Sequence, residues 1–244
     1  MVLKTLLCLM LSLTVVPSVL AQSTFHVFPQ VADGFAAPWI YKSAFMVRNA
    51  STSASVDCTL RLYGLRATML ALRRGTVGVP DSVFPVMLGG DNWAYFATTG
   101  QQALATGYAT LTCTGPVFAQ MLYSLYSGSA KVGEATVFSS DENPRAQFIA
   151  DQTEGSRLGV AIANNTDVLH DYQITVLDVD AAMLGTATVR IGPRSSLAKF
   201  LDELLPASAN TLGSAIIRAM DSSAFSTIGL RFTGAVFATI PATR

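Results

Sequence analysis

The amino-acid sequence predicts an all-β protein of two tandem immunoglobulin-like antiparallel β-sandwich domains, with one short helix in the second domain. Half of the 244 residues are hydrophobic and only 13% are charged. Short runs of alternating apolar and polar residues, typical of half-buried strands, are separated by turn-forming residues roughly every 8–12 positions. A stretch at residues 45–63 also has a counterpart at residues 160–178. A β-barrel is the alternative fold.

The repeated stretch reads FMVRNASTSASVDCTLRLY in the first copy and VAIANNTDVLHDYQITVLD in the second. Each copy has an apolar run, an Asn (Asn49 or Asn164), a small polar turn and a second alternating run. We interpret each copy as a β-hairpin, with the Asn as a turn residue. Further matching segments follow in the same order, beginning at Gly107 and Gly213, so the sequence predicts a tandem duplication.

Residues 1–21 are predicted to be a signal peptide. Lys4 precedes an apolar run that ends at Pro17, and Val19-Leu20-Ala21 fits the small-x-small cleavage rule. A transmembrane anchor is the other interpretation, but the run is shorter than the roughly 20 residues that span a bilayer. We therefore expect a secreted, periplasmic or extracellular protein with no integral membrane segment after cleavage.

The rest of the chain divides into a first β-sandwich domain at residues 22–140, a polar linker at 141–145 and a second domain at 146–244. In the first domain we expect strands at residues 24–32, 38–48, 56–63, 69–72, 83–88, 93–97, 107–114, 117–126 and 135–139. In the second we expect strands at residues 146–150, 158–163, 172–178, 183–191, 212–220, 224–232 and 235–240. The 107–114 and 117–126 strands would form a hairpin around Gly115-Pro116, and the 212–220 and 224–232 strands another across Asp221. An apolar stripe predicts the helix at residues 197–205, capped by Ser196 and ended by Pro206.

Two cysteines remain after the predicted cleavage, Cys58 and Cys113. An even number in an exported protein suggests one disulfide, and strand alternation places both sulfurs on core-facing positions. Ile174 and Ala219 look like the matching positions of the second copy. Two buried free thiols are the alternative.

Several phrases resemble a group of exported bacterial proteins built from paired β-sandwich repeats. They are residues 28–34 (FPQVADG), 230–232 (LRF) and 237–242 (FATIPA), together with the Asn-containing stretch and the segment around residues 200–207. The resemblance covers nearly the whole mature chain. It implies this architecture and export, and it supplies no site residues because that group has no characterised function.

Composition and motifs argue against most chemistry. The 16 basic and 16 acidic residues leave no electrostatic footprint for nucleic acid. His26 and His170 fall in different domains, which predicts neither a tetrahedral metal site nor a Ser-His-Asp triad. Asp178 and Asp180 offer only a weak calcium pattern. Asp202-Glu203 is the compact carboxylate pair of the second domain and is interpreted as a solvent-facing surface. We expect no catalytic residue, no metal and no cofactor.

The aromatic residues suggest another function. Trp39 and Trp93 both fall in the first domain, where exposed rings would stack on sugars, although core packing also explains aromatics in strands. The leading hypothesis is an exported non-enzymatic protein for surface, adhesive or structural interactions with a protein or glycan partner at the cell surface. A carbohydrate-binding module using Trp39 or Trp93 is the alternative, and a hydrolase is third.

Overall fold

The computed structural model describes residues 23–66, 69–73 and 81–243, and most of these residues lie in antiparallel strands. The all-β prediction is confirmed. The proposed signal peptide lies outside the described residues. The strands of the first half are β1 (Ser23–Ala36), β2 (Trp39–Asn49), β3 (Val56–Tyr63), β4 (Met69–Arg73), β5 (Val83–Leu88), β6 (Trp93–Thr98), β7 (Ala105–Ser127) and β8 (Ala130–Phe138). Those of the second half are β9 (Arg145–Asp151), β10 (Ser156–Asn164), β11 (His170–Asp178), β12 (Met183–Ile191), β13 (Ser195–Phe200), β14 (Leu212–Ala219), β15 (Ser226–Thr233) and β16 (Val236–Ile240).

The first half is one bent sheet with the order β4-β6-β2-β1-β7-β3-β5, and β8 also pairs with β7. The 23-residue strand β7 makes the bend. Before Gly115 it pairs with β1 and β3, and from Val117 onward it pairs mainly with β2 and β8. Side chains from both arms, such as Leu60 and Met121, pack in one buried cluster. The sheet therefore folds over itself to enclose a core, as the two sheets of a sandwich do.

The second half consists of two four-stranded sheets, β12-β11-β14-β9 and β13-β10-β15-β16. The first of these has the neighbour order β5-β3-β7-β1 of the first half. The second has the order β6-β2-β7-β8. The one long strand β7 thus occupies the places of both β14 and β15. The strand order differs from that of the constant-type immunoglobulin domain, in which the first two strands are neighbours: β9 pairs with β14 and not with β10.

The predicted hairpins are wrong, although their strands are present. Strands β2 and β3 lie in different arms and do not pair with each other, and β10 and β11 lie in different sheets. The repeated stretch is therefore an arch that crosses from one layer to the other. Around Gly115 the chain continues as one strand, and β14 and β15 also belong to separate sheets. Alternation shows which side chains face a core, but both layers face the same core, so it does not identify the neighbouring strand.

A buried Asn closes each arch. The Asn49 side-chain amide donates hydrogen bonds to the carbonyls of Ala54, Leu88 and Gly89 at 2.7–3.1 Å. Its Oδ1 accepts a bond from the Ser51 amide at 2.9 Å. The carbonyls of Leu88 and Gly89 end strand β5, so one side chain fixes the arch to a third strand.

The predicted disulfide is confirmed. Cys58 on β3 lies directly opposite Cys113 on β7, with a Cα–Cα distance of 4.1 Å, and both side chains are buried. In the second half Ala219 lies opposite Tyr172 and not Ile174, so the expected equivalence of Cys58 with Ile174 is wrong. In the second half the Tyr172 ring and the Ala219 methyl group fill the volume that the Cys58–Cys113 disulfide occupies in the first half.

The predicted helix at 197–205 is largely wrong. Residues 195–200 form strand β13, which pairs with β10, and α1 covers only Leu201–Leu204. Phe200, and not Ser196, precedes the helix, and it makes no side-chain cap. Pairing with a buried neighbour overrides the local helical pattern. A single 3-10 turn at Pro206–Ser208 follows.

The two halves share buried surface. Ala161, Ile228, Leu230 and Phe237 of the second half belong to the core cluster of the first. A chain of ring contacts crosses between the halves, with centroid distances of 4.9–6.1 Å: Tyr41 to Tyr123, Tyr123 to Phe237, Phe237 to Phe232, and Phe232 to Phe200. The sheet containing β10 and β15 is therefore covered on both faces.

The predicted linker at 141–145 is held against the second half. Asn143 exchanges backbone hydrogen bonds with Phe225 at 2.9 and 3.0 Å, and the Ser140 hydroxyl donates to the carbonyl of Thr227. These bonds restrict movement between the halves. The boundaries at 140 and 146 stay a prediction.

Candidate functional site

Trp93 lies in a row of side chains on the outer face of the first half. It is directly opposite Arg48 on β2, and Arg48 is directly opposite Phe118 on β7. The next row on the same face contains Tyr95, Met46, Gln120 and Phe138 in cross-strand register, because residues two apart share a face. Four neighbouring strands thus present four aromatic residues, Trp93, Tyr95, Phe118 and Phe138, among long side chains such as Arg48 and Gln120.

This face forms the floor of a groove of about 520 Å³. Phe25 and His26 of β1 and Asp141, just beyond β8, stand at its side. Trp93 is 42% exposed, Phe25 40% and Phe138 47%, so three aromatic rings are open to solvent within one concave surface. We name the residues Phe25, Arg48, Trp93, Phe118, Gln120, Phe138 and Asp141 the Trp93 groove. Its volume lies within the roughly 300–1,000 Å³ of small-ligand sites.

The polar groups of the groove are suited to hydroxyl recognition. The Arg48 guanidinium donates to Asp91 at 3.2 Å, an exposed pair at the rim. Gln120 supplies both a donor and an acceptor, and Asp141 supplies an acceptor. Flat aromatic faces beside such groups match the alternation of C–H and O–H groups on a sugar ring.

Trp39 lies in a second cavity, between the halves, of about 580 Å³. We name it the Trp39 cleft; its lining includes Gln30, Tyr41, Tyr123, Arg157, Phe200 and Phe232. Trp39 is only half-buried, but it packs against the shared core. Burial raises the pKa of the Tyr123 phenol above its ordinary value.

Ion pairs largely neutralise the mouth of the Trp39 cleft. Arg157 donates two hydrogen bonds to Asp202 at 2.7 and 2.8 Å, a third to Glu203 at 3.4 Å, and lies 3.8 Å from the Phe200 ring centroid. Lys199 is 3.6 Å from Glu203. The compact carboxylate pair Asp202-Glu203 is thus held by a cation. The two cavities place Trp39 and Trp93 in separate sites.

A polar chain that the sequence did not predict surrounds His170. Its Nδ1 lies 2.6 Å from Asp221 Oδ2, and its Nε2 lies 2.9 Å from the Thr166 hydroxyl. Hydrogen bonds from Ser223 and, to a smaller extent, the hydrogen bond with His170 lower the pKa of Asp221 to about 2. Carboxylate, imidazole and hydroxyl therefore follow one another as in a catalytic triad.

The Thr166 hydroxyl, however, is fully used within its own turn. It lies 2.7 Å from Asn164 Oδ1, 3.1 Å from the carbonyl of Val168 and 3.3 Å from the amide of Val168. His170 is only 5% exposed and lines neither the Trp93 groove nor the Trp39 cleft. The arrangement holds the second arch closed. Asp221 could not be predicted because it comes from a distant loop after β14.

The remaining candidate acids stabilise turns or strands. Asp178 Oδ1 accepts hydrogen bonds from the amides of Asp180 and Ala182, at 2.9 and 2.8 Å. Asp33 is fully buried inside β1, where it accepts hydrogen bonds from the Gly100 amide and the Gln102 side chain at 2.7 Å. Burial raises the pKa of its carboxyl. In the described ranges no three His, Cys, Asp or Glu side chains gather as metal ligands would.

Within the described ranges, none of the helices has the length and apolar character needed to cross a bilayer. No family model, curated protein or solved structure matches the chain.

Proposed function

We propose that this protein is an exported, non-enzymatic binding protein that acts in surface or adhesive interactions, and that it holds a carbohydrate in the Trp93 groove. The observation that carries the proposal is the exposure of Trp93 beside Phe25 and Phe138 in a groove that also contains polar side chains. An exposed aromatic ring does not gain the favourable free energy of burial in the core. Concave apolar surface of this kind is typical of ligand sites.

Two features support the export part of the proposal. The predicted signal peptide at residues 1–21 directs secretion, and the Cys58–Cys113 disulfide is typical of oxidising compartments. The matching strand orders of the two halves support a tandem duplication as the origin of the fold.

The Trp93 groove is favoured over the Trp39 cleft for sugar binding. Trp39 packs against the core, and the rings around it already contact one another across the two halves. Trp93 presents its ring in a row of cross-strand neighbours on the sheet face that forms the floor of the groove, and it is 42% exposed. A flat face suits a pyranose ring, which must approach the aromatic face closely to bury its C–H groups.

A glycan array with purified protein tests the proposal, followed by titration calorimetry with each glycan retained. Trp93→Ala removes the stacking surface, and we expect at least a tenfold loss of affinity, which corresponds to about 1.4 kcal/mol. Phe35→Ala is the matched control, because Phe35 is an exposed aromatic residue outside both cavities. Glycan binding that survives Trp93→Ala, or an array with no retained glycan, contradicts the proposal.

A further inference from the structure

In the described part of the chain, several sheet edges are covered by another segment or carry a residue that opposes pairing. An unprotected edge exposes a row of unpaired backbone groups that another strand can bind. Strands β8 and β16 lie against each other, and the Thr239 hydroxyl donates to the carbonyl of Thr136. Gln147 of β9 exchanges backbone hydrogen bonds with Thr243. The β13 edge carries the exposed Lys199, and β4 leads into residues outside the described part of the chain.

Strand β5 is protected by Pro85, which cannot donate a backbone hydrogen bond to an incoming strand. Its counterpart in the second half is β12, because Asn49 binds the Leu88 carbonyl at the end of β5 and Asn164 binds the Ile191 carbonyl at the end of β12. Pro85 lies three residues before Leu88 in the first half, and Thr188 lies three residues before Ile191 in the second half. Strand β12 therefore lacks the proline that protects the corresponding edge strand β5 of the first half.

The geometry points to β12 as the site where a second copy of this chain pairs, edge to edge and antiparallel. Among the described residues β12 has one ladder neighbour, β11, and its other edge has none. The nine residues from Met183 to Ile191 are long enough for a stable ladder. The result would be a two-fold dimer in which two four-stranded sheets form one continuous sheet.

The sequence of β12 is compatible with pairing to itself. Antiparallel pairing about Ala187 places Thr186 opposite Thr188 of the second copy, and such Thr–Thr pairs are favourable across strands. Leu184 then lies opposite Arg190, so no like charges meet. The Arg190 guanidinium is already bound by Asp171 at 2.8 and 2.9 Å, so no unpaired charge enters the interface.

Exposed apolar side chains at the start of β12 extend this interface. Val179 and Met183 are each 67% exposed and lie on either side of the turn that precedes the strand. Pairing in this register brings Met183 toward Ile191 of the second copy. These contacts are small beside a typical stable interface of about 1,600 Å², so we expect a dimer that forms only at high protein concentration.

Sedimentation equilibrium over concentrations up to about 1 mM tests the inference. We expect the average mass to rise toward that of a dimer. Thr188→Pro, which copies Pro85, should keep the protein monomeric at every concentration. Thr186→Lys with Thr188→Lys is the second variant, because it places like charges opposite each other while keeping the backbone donors. Circular dichroism establishes that each variant is folded.

Cross-linking tests the register. A mixture of Thr186→Cys and Thr188→Cys proteins should form an intermolecular disulfide under mild oxidation, whereas Thr188→Cys alone should cross-link far less, since Thr188 lies opposite Thr186. A strict monomer at the highest concentration overturns the inference. A dimer that persists in a folded Thr188→Pro protein and in the double Lys variant also overturns it.

Discussion

Asn49 and Asn164 make the same set of hydrogen bonds in the two halves of the chain. The Asn164 amide donates to the carbonyls of Val168, Ile191 and Gly192, and its Oδ1 accepts from the Thr166 amide. Asn49 binds the corresponding carbonyls of Ala54, Leu88 and Gly89 and the amide of Ser51. Both side chains are fully buried. The repeated Asn is therefore a structural residue that locks an arch, and it explains the repeat without a binding site.

The first prediction concerns this lock. Asn49→Asp keeps the acceptor for Ser51 but replaces the donor by an oxygen that faces three carbonyls. We expect the free energy of unfolding to fall by at least about 2 kcal/mol, since buried carbonyls lose their partners. Urea unfolding measures the change. Ser53→Ala is the control, because Ser53 contributes only its backbone amide to the same turn. Equal stability of the two variants would contradict the role given to Asn49.

The second prediction concerns contact between the halves. Phe237 is 5% exposed and contacts both Tyr123 and Phe232, whereas its neighbour Val236 is 67% exposed. Phe237→Ala should cost about 3–5 kcal/mol by removing a buried ring, and Val236→Ala should cost little. Differential scanning calorimetry measures both. We also expect the Phe237→Ala endotherm to broaden or split as the halves unfold less cooperatively. An unchanged single transition would show that the ring chain does not couple them.

The third prediction concerns the disulfide. The bridge joins residues 55 positions apart, and in the chain-entropy model such a loop stabilises the fold by about 4 kcal/mol. The Cys58→Ala, Cys113→Ala double variant should therefore unfold at a clearly lower urea concentration. Reduced wild-type protein serves as the comparison and should behave like the variant. Thiol labelling of denatured, unreduced protein should find no thiol at either position, and labelling there would refute the bridge.

The fourth prediction concerns pH. The pKa of Asp221 is about 2, below the ordinary value of 3.8, owing mainly to Ser223 and then to His170. A carboxyl whose pKa is lower in the folded state stabilises the protein above the unfolded pKa, and that contribution is lost as the pH falls. We expect Asp221→Asn to reduce stability at pH 5 and to flatten the stability profile between about pH 4 and pH 2.

Asp180→Asn is the control for this measurement, because Asp180 lies on an exposed turn and contributes its backbone amide to it. Urea midpoints measured at several pH values give the two profiles. If the Asp221 and Asp180 variants have the same acid dependence, the hydrogen bonds that Asp221 accepts from Ser223 and His170 add nothing to stability.

Much of the strand content could be predicted from the sequence. Strands 56–63 and 183–191 match the structure residue for residue, because alternation and flanking turn residues are local properties. Pairing could not be predicted. A polar turn between two alternating runs has the same sequence pattern in an arch and in a hairpin, so this pattern predicts hairpins where the structure has arches.

The site was predictable in part. The sequence predicts Trp93 as a candidate ligand-binding residue, because a Trp in a strand with few charges is a candidate for ring stacking. Its neighbours Arg48 and Phe118 come from two other strands, and the sequence does not show that they lie beside it. The predicted helix at 197–205 is wrong for a similar reason. Residues 195–200 pair with β10, and this long-range pairing determines their conformation. Asp221 reaches His170 only because the loop after β14 returns to the second arch.

The continuity of β7 has a mechanical consequence. In the first half one unbroken strand of 23 residues is hydrogen-bonded to β1, β2, β3 and β8, so a force on this strand is shared among all these ladders. In the second half the segment at residues 220–225 separates β14 from β15, so a force passes between their two ladders through this segment and its bonds to His170 and Asn143. The first half, which carries Trp93, is therefore the stiffer end of the molecule under tension.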